Sequence, residues 1–151
     1  TNSDDSITSY GKKVTINALE GNDSVSNKAS IYSDYYNPKL LSSPDNVSIY
    51  GGKGNDTLSG SNQGEVFQYV LGDGFDLIKG FDSNDTLSIS GGSYSAKKSG
   101  SDIIVKVSNG SISLVGAASL DNVNILGNEI PDWKTNGTKA TYGTLKNILI
   151  V

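Results

Sequence analysis

The sequence predicts an all-β fold, a right-handed parallel β-solenoid closed at one end by antiparallel strands. Three observations point there. An acidic turn recurs in phase along the first half of the chain, and short alternating apolar strands hold a constant offset before it. The composition is that of short strands and tight turns, with 18 Gly, only 3 Pro and 35% hydrophobic residues among 151.

The acidic turns come first. SDDSI (3–7), GNDSV (21–25), GNDTL (54–58) and GFDLI (74–78) align on Asp5, Asp23, Asp56 and Asp76. An aliphatic follows each Asp two residues later: Ile7, Val25, Leu58 and Ile78. The Asp spacings are 18, 33 and 20, the middle one being a period of 18 lengthened by an insertion. Val14 and Ile16 stand nine and seven residues before Asp23, Val47 and Ile49 stand so before Asp56, and Phe67 and Tyr69 before Asp76. Two short strands and two turns per period make one solenoid coil, and successive coils stack at about 4.8 Å. The aspartates then form a column on one edge, and the aliphatics fill a thin core.

Residues 28–45 (KASIYSDYYNPKLLSSPD) interrupt the repeat. Clustered tyrosines favour binding surfaces, so Tyr32, Tyr35 and Tyr36 are candidates for a polysaccharide or a cell-surface partner. The alternative is a loop folded over an edge of the solenoid through Leu40 and Leu41. After Gly91 and Gly92 the period changes. Ser93–Lys97, Asp102–Val107 and Ser111–Val115 read as antiparallel strands, with Asn109 and Gly110 as a two-residue hairpin turn. Val123–Leu126 reads as the last strand. Such a block would cover the terminal coil, as an open solenoid requires. The expected organisation is therefore 1–90 for the solenoid with its insertion, 91–126 for an antiparallel cap, and 127–151 for a linker and short extension. Trp133, Tyr142 and the apolar end 148–151 suit either an uncleaved secretion signal or a truncated repeat.

Stacked carboxylates one strand apart repel by about 3 kcal/mol per adjacent pair at a surface-like dielectric. A fold that lines them up needs a cation between them. Calcium fits, because it accepts six to eight oxygen ligands in flexible geometry, mixing carboxylates with backbone carbonyls. Glycines flanking Asp23, Asp56 and Asp76 permit the positive φ that aims carbonyls inward. The opposite edge is more degenerate, and Lys12 and Lys13 there would oppose a cation. Calcium is thus expected on one edge, with up to three sites between four turns. Glu65 and Asp85, each nine residues past a column Asp, could stack with Asp82 as an extra weak site; the competing reading is a solvated acidic turn.

Other functions are disfavoured by what the chain lacks. Sixteen acidic against 12 basic residues, a net charge of −4, argue against nucleic acid. With no Cys there is no disulfide framework or thiolate site, and with no His no Ser-His-Asp triad. The longest aliphatic run, 148–151, is far too short to span a membrane. No catalytic site is expected; paired carboxylates act on glycosides, but here they fall on the structural period. The missing Met suggests a piece of a larger chain.

GGKGNDTLS (51–59) matches the nonapeptide G-G-x-G-x-D-x-U-x without a departure. On that motif and its three phased partial copies the chain resembles the RTX, or haemolysin-type, calcium-binding repeat family. FQYVLGDGFDLIKGFDSNDTLS (67–88) is similar to the segment where that family's β-roll hands over to its cap. The resemblance spans roughly residues 3 to 126. It implies Ca2+ held by Asp5, Asp23, Asp56 and Asp76, with backbone carbonyls from Gly21, Gly51, Lys53, Gly54, Gly72 and Gly74. It further implies a secreted or surface protein of bacteria, exported by type I secretion and folding on extracellular calcium, any catalytic activity lying elsewhere in the parent chain. Ala18-Leu19-Glu20 and Leu71 depart from the leading glycines, and Ser3 replaces Gly in the first turn, predicting poorer backbone geometry there.

Overall fold

The computed structural model describes residues 1–10, 13–28, 47–129 and 145–146. Strands follow one another as β1 (Ser6–Ser9), β2 (Thr15–Asn17), β3 (Ser24–Asn27), β4 (Val47–Tyr50), β5 (Thr57–Ser59), β6 (Glu65–Val70), β7 (Phe75–Lys79) and β8 (Thr86–Ser99). Then come β9 (Asp102–Val107), β10 (Gly110–Leu114), a 3-10 turn at Ala117–Ser119, β11 (Asn122–Glu129) and β12 (Leu145–Lys146). The fold is an all-β roll. β1, β3, β5 and β7 stack in parallel as one sheet, and β2, β4, β6 and the first part of β8 as the other.

Inward rows run across the coils. Val25, Leu58, Ile78 and Leu114 lie in register on one sheet, and Ile16, Ile49, Phe67, Leu87 and Ile125 on the other. All nine are buried. The period-2 alternation of each strand puts them there, and full burial of such side chains is worth about 1.5–3 kcal/mol each.

The closure differs from a separate antiparallel block. β8 leaves the even sheet and its end pairs antiparallel with β9, which pairs antiparallel with β10. β10 also lies parallel to β7, and β11 parallel to β8, so both parallel sheets continue past the insertion of β9. The hairpin loop is Ser108–Asn109 rather than 109–110, since Gly110 already pairs with Val107. Gly110 serves close approach: a Cβ on it would lie 2.1 Å from the carbonyl oxygen of Gly74 in the coil below.

One register also shifts. Ile49 pairs with Phe67, not Tyr69, so Tyr69 and Val70 are two extra residues before the last acidic turn. A slip of two leaves the same face inward, which is why alternation alone does not reveal it. Tyr32, Tyr35, Tyr36, Leu40, Leu41, Lys12, Trp133, Tyr142 and 148–151 lie outside the described residues. Among the described residues no helix is long and apolar enough to cross a membrane.

Candidate metal centre

The register of β1, β3, β5 and β7 stacks Asp5, Asp23, Asp56 and Asp76 in one column, the first three immediately before their strands and Asp76 at the second position of β7. Gly21, Gly54 and Gly74 form a second column two residues upstream. Here the coils touch so closely that only glycine fits: a Cβ on Gly54 would lie 1.7 Å from the Gly21 carbonyl oxygen. Leu19, at the place of Gly52 and Gly72, still takes a φ of +83° against their +99° and +100°. The degenerate turn thus keeps the shape at a strain of about 1–2 kcal/mol.

Side chains, not only backbone, hold the turns together. The N–H of Asp5 donates to Oδ1 of Asp23 (2.7 Å), that of Asp23 to Oδ1 of Asp56 (2.8 Å), and that of Asp56 to Oδ1 of Asp76 (3.1 Å). One oxygen of each of these carboxylates is thereby committed. The other oxygen of Asp23 and of Asp56, Oδ2, is buried with no hydrogen-bond partner among the described residues. Such a group costs about 1–3 kcal/mol unsatisfied, and more when charged. Asp56 Oδ2 lies over Gly51 of its own turn, where a Cβ would come within 2.2 Å of it. Burial, reinforced by the Asp23 and Asp73 charges, lifts Asp56 to about 6. Burial lifts Asp76 to about 7, with the charges of Asp56 and Asp73 adding to it. Asp5, at the exposed end, is held below the usual range by its hydrogen bond from the Thr1 amino group.

Spare oxygens of this kind suit a hard cation. Among the described residues no three carboxylates converge to hold an ion by side chains alone, so backbone carbonyls must complete any shell. The expected carbonyl donors are not equally free. Lys53 already accepts from the N–H of Gly21 (2.8 Å). The carbonyl of Gly74 accepts from Ser111 N–H (3.1 Å) and the Tyr69 hydroxyl (2.9 Å), which engages both lone pairs, so as a ligand it would have to give one of them up.

Two features went unread in the sequence. Asp73 holds the place of Lys53 and Glu20, yet it is buried, accepting from Val70 N–H (2.6 Å) and the Tyr50 hydroxyl (3.3 Å). Its signal was a second Asp in LGDGFD at the motif's variable position. An outer ladder also runs against the inner one: Asn22 N–H donates to Asp4 Oδ1 (2.8 Å), Asn55 N–H to Asn22 Oδ1 (2.8 Å), and Phe75 N–H to Asn55 Oδ1 (3.0 Å).

On the opposite edge Glu65 and Asp85 stack in register, as their spacing predicts. They are not a solvated turn: they are 1% and 0% exposed. Asp85 accepts from the N–H groups of Glu65 and Asp82 (both 2.8 Å). Glu65 accepts from Asn27 Nδ2 (2.9 Å), Ser61 Oγ (2.6 Å) and Ser61 N–H (3.1 Å). All four carboxylate oxygens are therefore engaged, unlike those of the Asp column. Burial, with the Glu65 and Asp82 charges beside it, pushes Asp85 up to about 8.

The RTX calcium-binding nonapeptide repeat (4 copies) family matches residues 40–63 and 70–94. These spans include the turns of Asp56 and Asp76 and stop short of those of Asp5 and Asp23. Among solved structures, the extracellular lipase LipA from Serratia marcescens is similar at a TM-score of 0.60 and 20% identity over 79% of this chain. The chain spans 18% of that lipase's length, and the likeness is one of fold. No curated protein matches.

Proposed function

We propose that this chain, which carries RTX calcium-binding nonapeptide repeats, is a calcium-folded β-roll module of a secreted bacterial protein. The observation that supports the reading is the pair of buried Oδ2 atoms, on Asp23 and Asp56, that have no hydrogen-bond partner among the described residues, inside a ladder of four aspartates. The donor set is all oxygen, as calcium prefers. Asp5, Asp23, Asp56 and Asp76 would hold the ions, with carbonyls of Gly21, Gly51, Lys53, Gly54 and Gly72. A bound ion supplies positive charge between carboxylates that otherwise repel or take up protons. The chain's own residues do the rest: the Asp and Asn ladders fix the turns in register, and the glycines let the coils approach.

Ligand that binds only the folded chain stabilises it by mass action. At low cytosolic calcium the column opposes folding, which suits export through a type I channel; millimolar calcium outside favours the roll. The repeats are a structural calcium-binding module and not a catalytic one, so any activity of the whole protein resides in other parts of it. We assign residues 1–90 to the roll, 91–126 to its closure and 127–151 to a linker and extension, of which 127–129 still belong to β11.

Far-UV circular dichroism during a calcium titration, repeated with Asp56→Ala, tests this. The expected result is a calcium-dependent gain of strand signal, with the variant needing at least tenfold more calcium, in line with the roughly 10–100-fold losses typical of altered metal-site groups. A chain fully folded in excess chelator and indifferent to calcium refutes the folding role.

A further inference from the structure

Above Asp76 three departures from the lower coils coincide. Ile112 takes the next place in the Asp column and is fully buried. Phe75 stands where Asn22 and Asn55 stand below, so the outer ladder ends and Ser111 N–H turns to the Gly74 carbonyl (3.1 Å). The two extra residues of the last turn bring in Tyr69, 1% exposed, whose hydroxyl donates to Gly74 O (2.9 Å) and accepts from Gly74 N–H (3.3 Å). Gly110 presses on that hydroxyl from the next coil, where a Cβ would lie 2.3 Å from it.

We propose that Tyr69 is the plug that ends the cation column. Its hydroxyl, seated on Gly74 beneath Gly110, fills the place between the Asp76 turn and β10 where a further ion would sit if the repeat continued. This deepens the calcium reading and rests on it. The number of ions is then set by the two-residue insertion and the Ile at 112, not by the number of coils, since β10 and β11 continue both sheets without extending the site.

The test restores the lower-coil chemistry and counts ions by equilibrium dialysis in millimolar calcium, with folding followed by circular dichroism. Ile112→Asp alone, and Tyr69→Leu alone, should bind the same number as the parent chain. Tyr69→Leu with Ile112→Asp should bind one more, a gain that a packing role for Tyr69 would not produce. An extra ion with Ile112→Asp alone, or none in the folded double variant, overturns the proposal. If Asp at 112 prevents folding, amide hydrogen exchange on Tyr69→Phe decides. The Gly74 amide should exchange about fivefold faster in calcium, the worth of one hydrogen bond, with Gly54 unchanged; an unchanged Gly74 rate overturns it. A parent chain that binds no calcium instead removes the calcium reading itself, before any variant is compared.

Discussion

Gly54→Ala and Gly72→Ala place the same methyl in neighbouring turns of the metal edge, and the structure assigns them different costs. Both residues have a positive φ, +144° and +100°. At Gly72 nothing among the described residues lies within 4 Å of the added Cβ, so the cost there is backbone strain, about 1–2 kcal/mol. At Gly54 the Cβ would lie 1.7 Å from Gly21 O, where real contacts do not fall below 3.0 Å. The coils must part by about 1.3 Å, the difference between those two distances. That separation stretches three bonds of 2.8 Å: Gly21 N–H to Lys53 O, Asn55 N–H to Asn22 Oδ1, and Asp23 N–H to Asp56 Oδ1. At about 1 kcal/mol each, with the strain added, the loss is about 4–5 kcal/mol. A domain has only about 5–15 kcal/mol in total. Urea unfolding in saturating calcium, followed by circular dichroism, measures both variants. Equal losses would refute the reasoning, because they would mean that the coils do not depend on this contact.

Three further outcomes follow from the same geometry. Gly51→Ala drives a methyl to within 2.2 Å of Asp56 Oδ2, so calorimetric titration should show calcium affinity falling about 10–100-fold while strand content is kept. Asp56 and Asp76, raised from 3.8 to about 6 and about 7, bind protons more tightly in the fold than in the unfolded chain. Their contribution to the metal-free fold is therefore greatest below about pH 4 and is lost as pH rises through about 6 to 7. Calcium, which displaces those protons, should bind more tightly from pH 5 to 8; chelator-treated protein whose stability these two groups raise over that range would contradict this, and Asp-to-Asn variants at both positions isolate them. Lys53→Ala removes an exposed pair with Glu20 (2.9 Å) and a weaker attraction to Asp73, and thermal melting should register little change.

The Asp column, the aliphatics two residues on and the glycines were legible because a solenoid repeats one local rule. A strand-period pattern fixes which face is buried, and so Val25, Leu58 and Ile78 could be placed. The same rule hid the slip at Tyr69, since a shift of two preserves every inward position. Edge closure was not legible either. The stacking of Glu65 and Asp85 followed from the period, but beyond the local Ser61 Glu65 also needs Asn27, 38 residues away in sequence, and its N–H is taken by the Asp85 side chain, 20 residues on. Such pairings arise only once the coils are stacked, and no spacing within one turn encodes them. Asp73 was missed for the converse reason: the motif leaves its position free, and only the folded turn brings Val70 N–H and the Tyr50 hydroxyl onto it.

The two edges meet one problem, stacked carboxylates, with different side-chain lengths. A column Asp reaches no farther than the N–H of the coil before it. Oδ1 is consumed by that bond, and at Asp23 and Asp56 Oδ2 is left buried without a donor among the described residues. Glu65 has one more methylene, enough to reach Ser61 and Asn27, and Asp85 finds a second N–H at Asp82. With every oxygen engaged, the Glu65–Asp85 pair can relieve its repulsion with a proton, and burial raises Asp85 to hold one. The Asp column has spare oxygens that a proton on one carboxyl satisfies only locally, whereas a divalent cation satisfies neighbours on both sides at once. Since the opposed Asp and Asn ladders already set the turns, the ion is needed for charge more than for shape. Swapping the chemistry of the edges follows as the stringent check: Glu65→Asp, too short to reach Asn27, should leave a buried oxygen free and make the hydrogen-bonded edge sensitive to calcium.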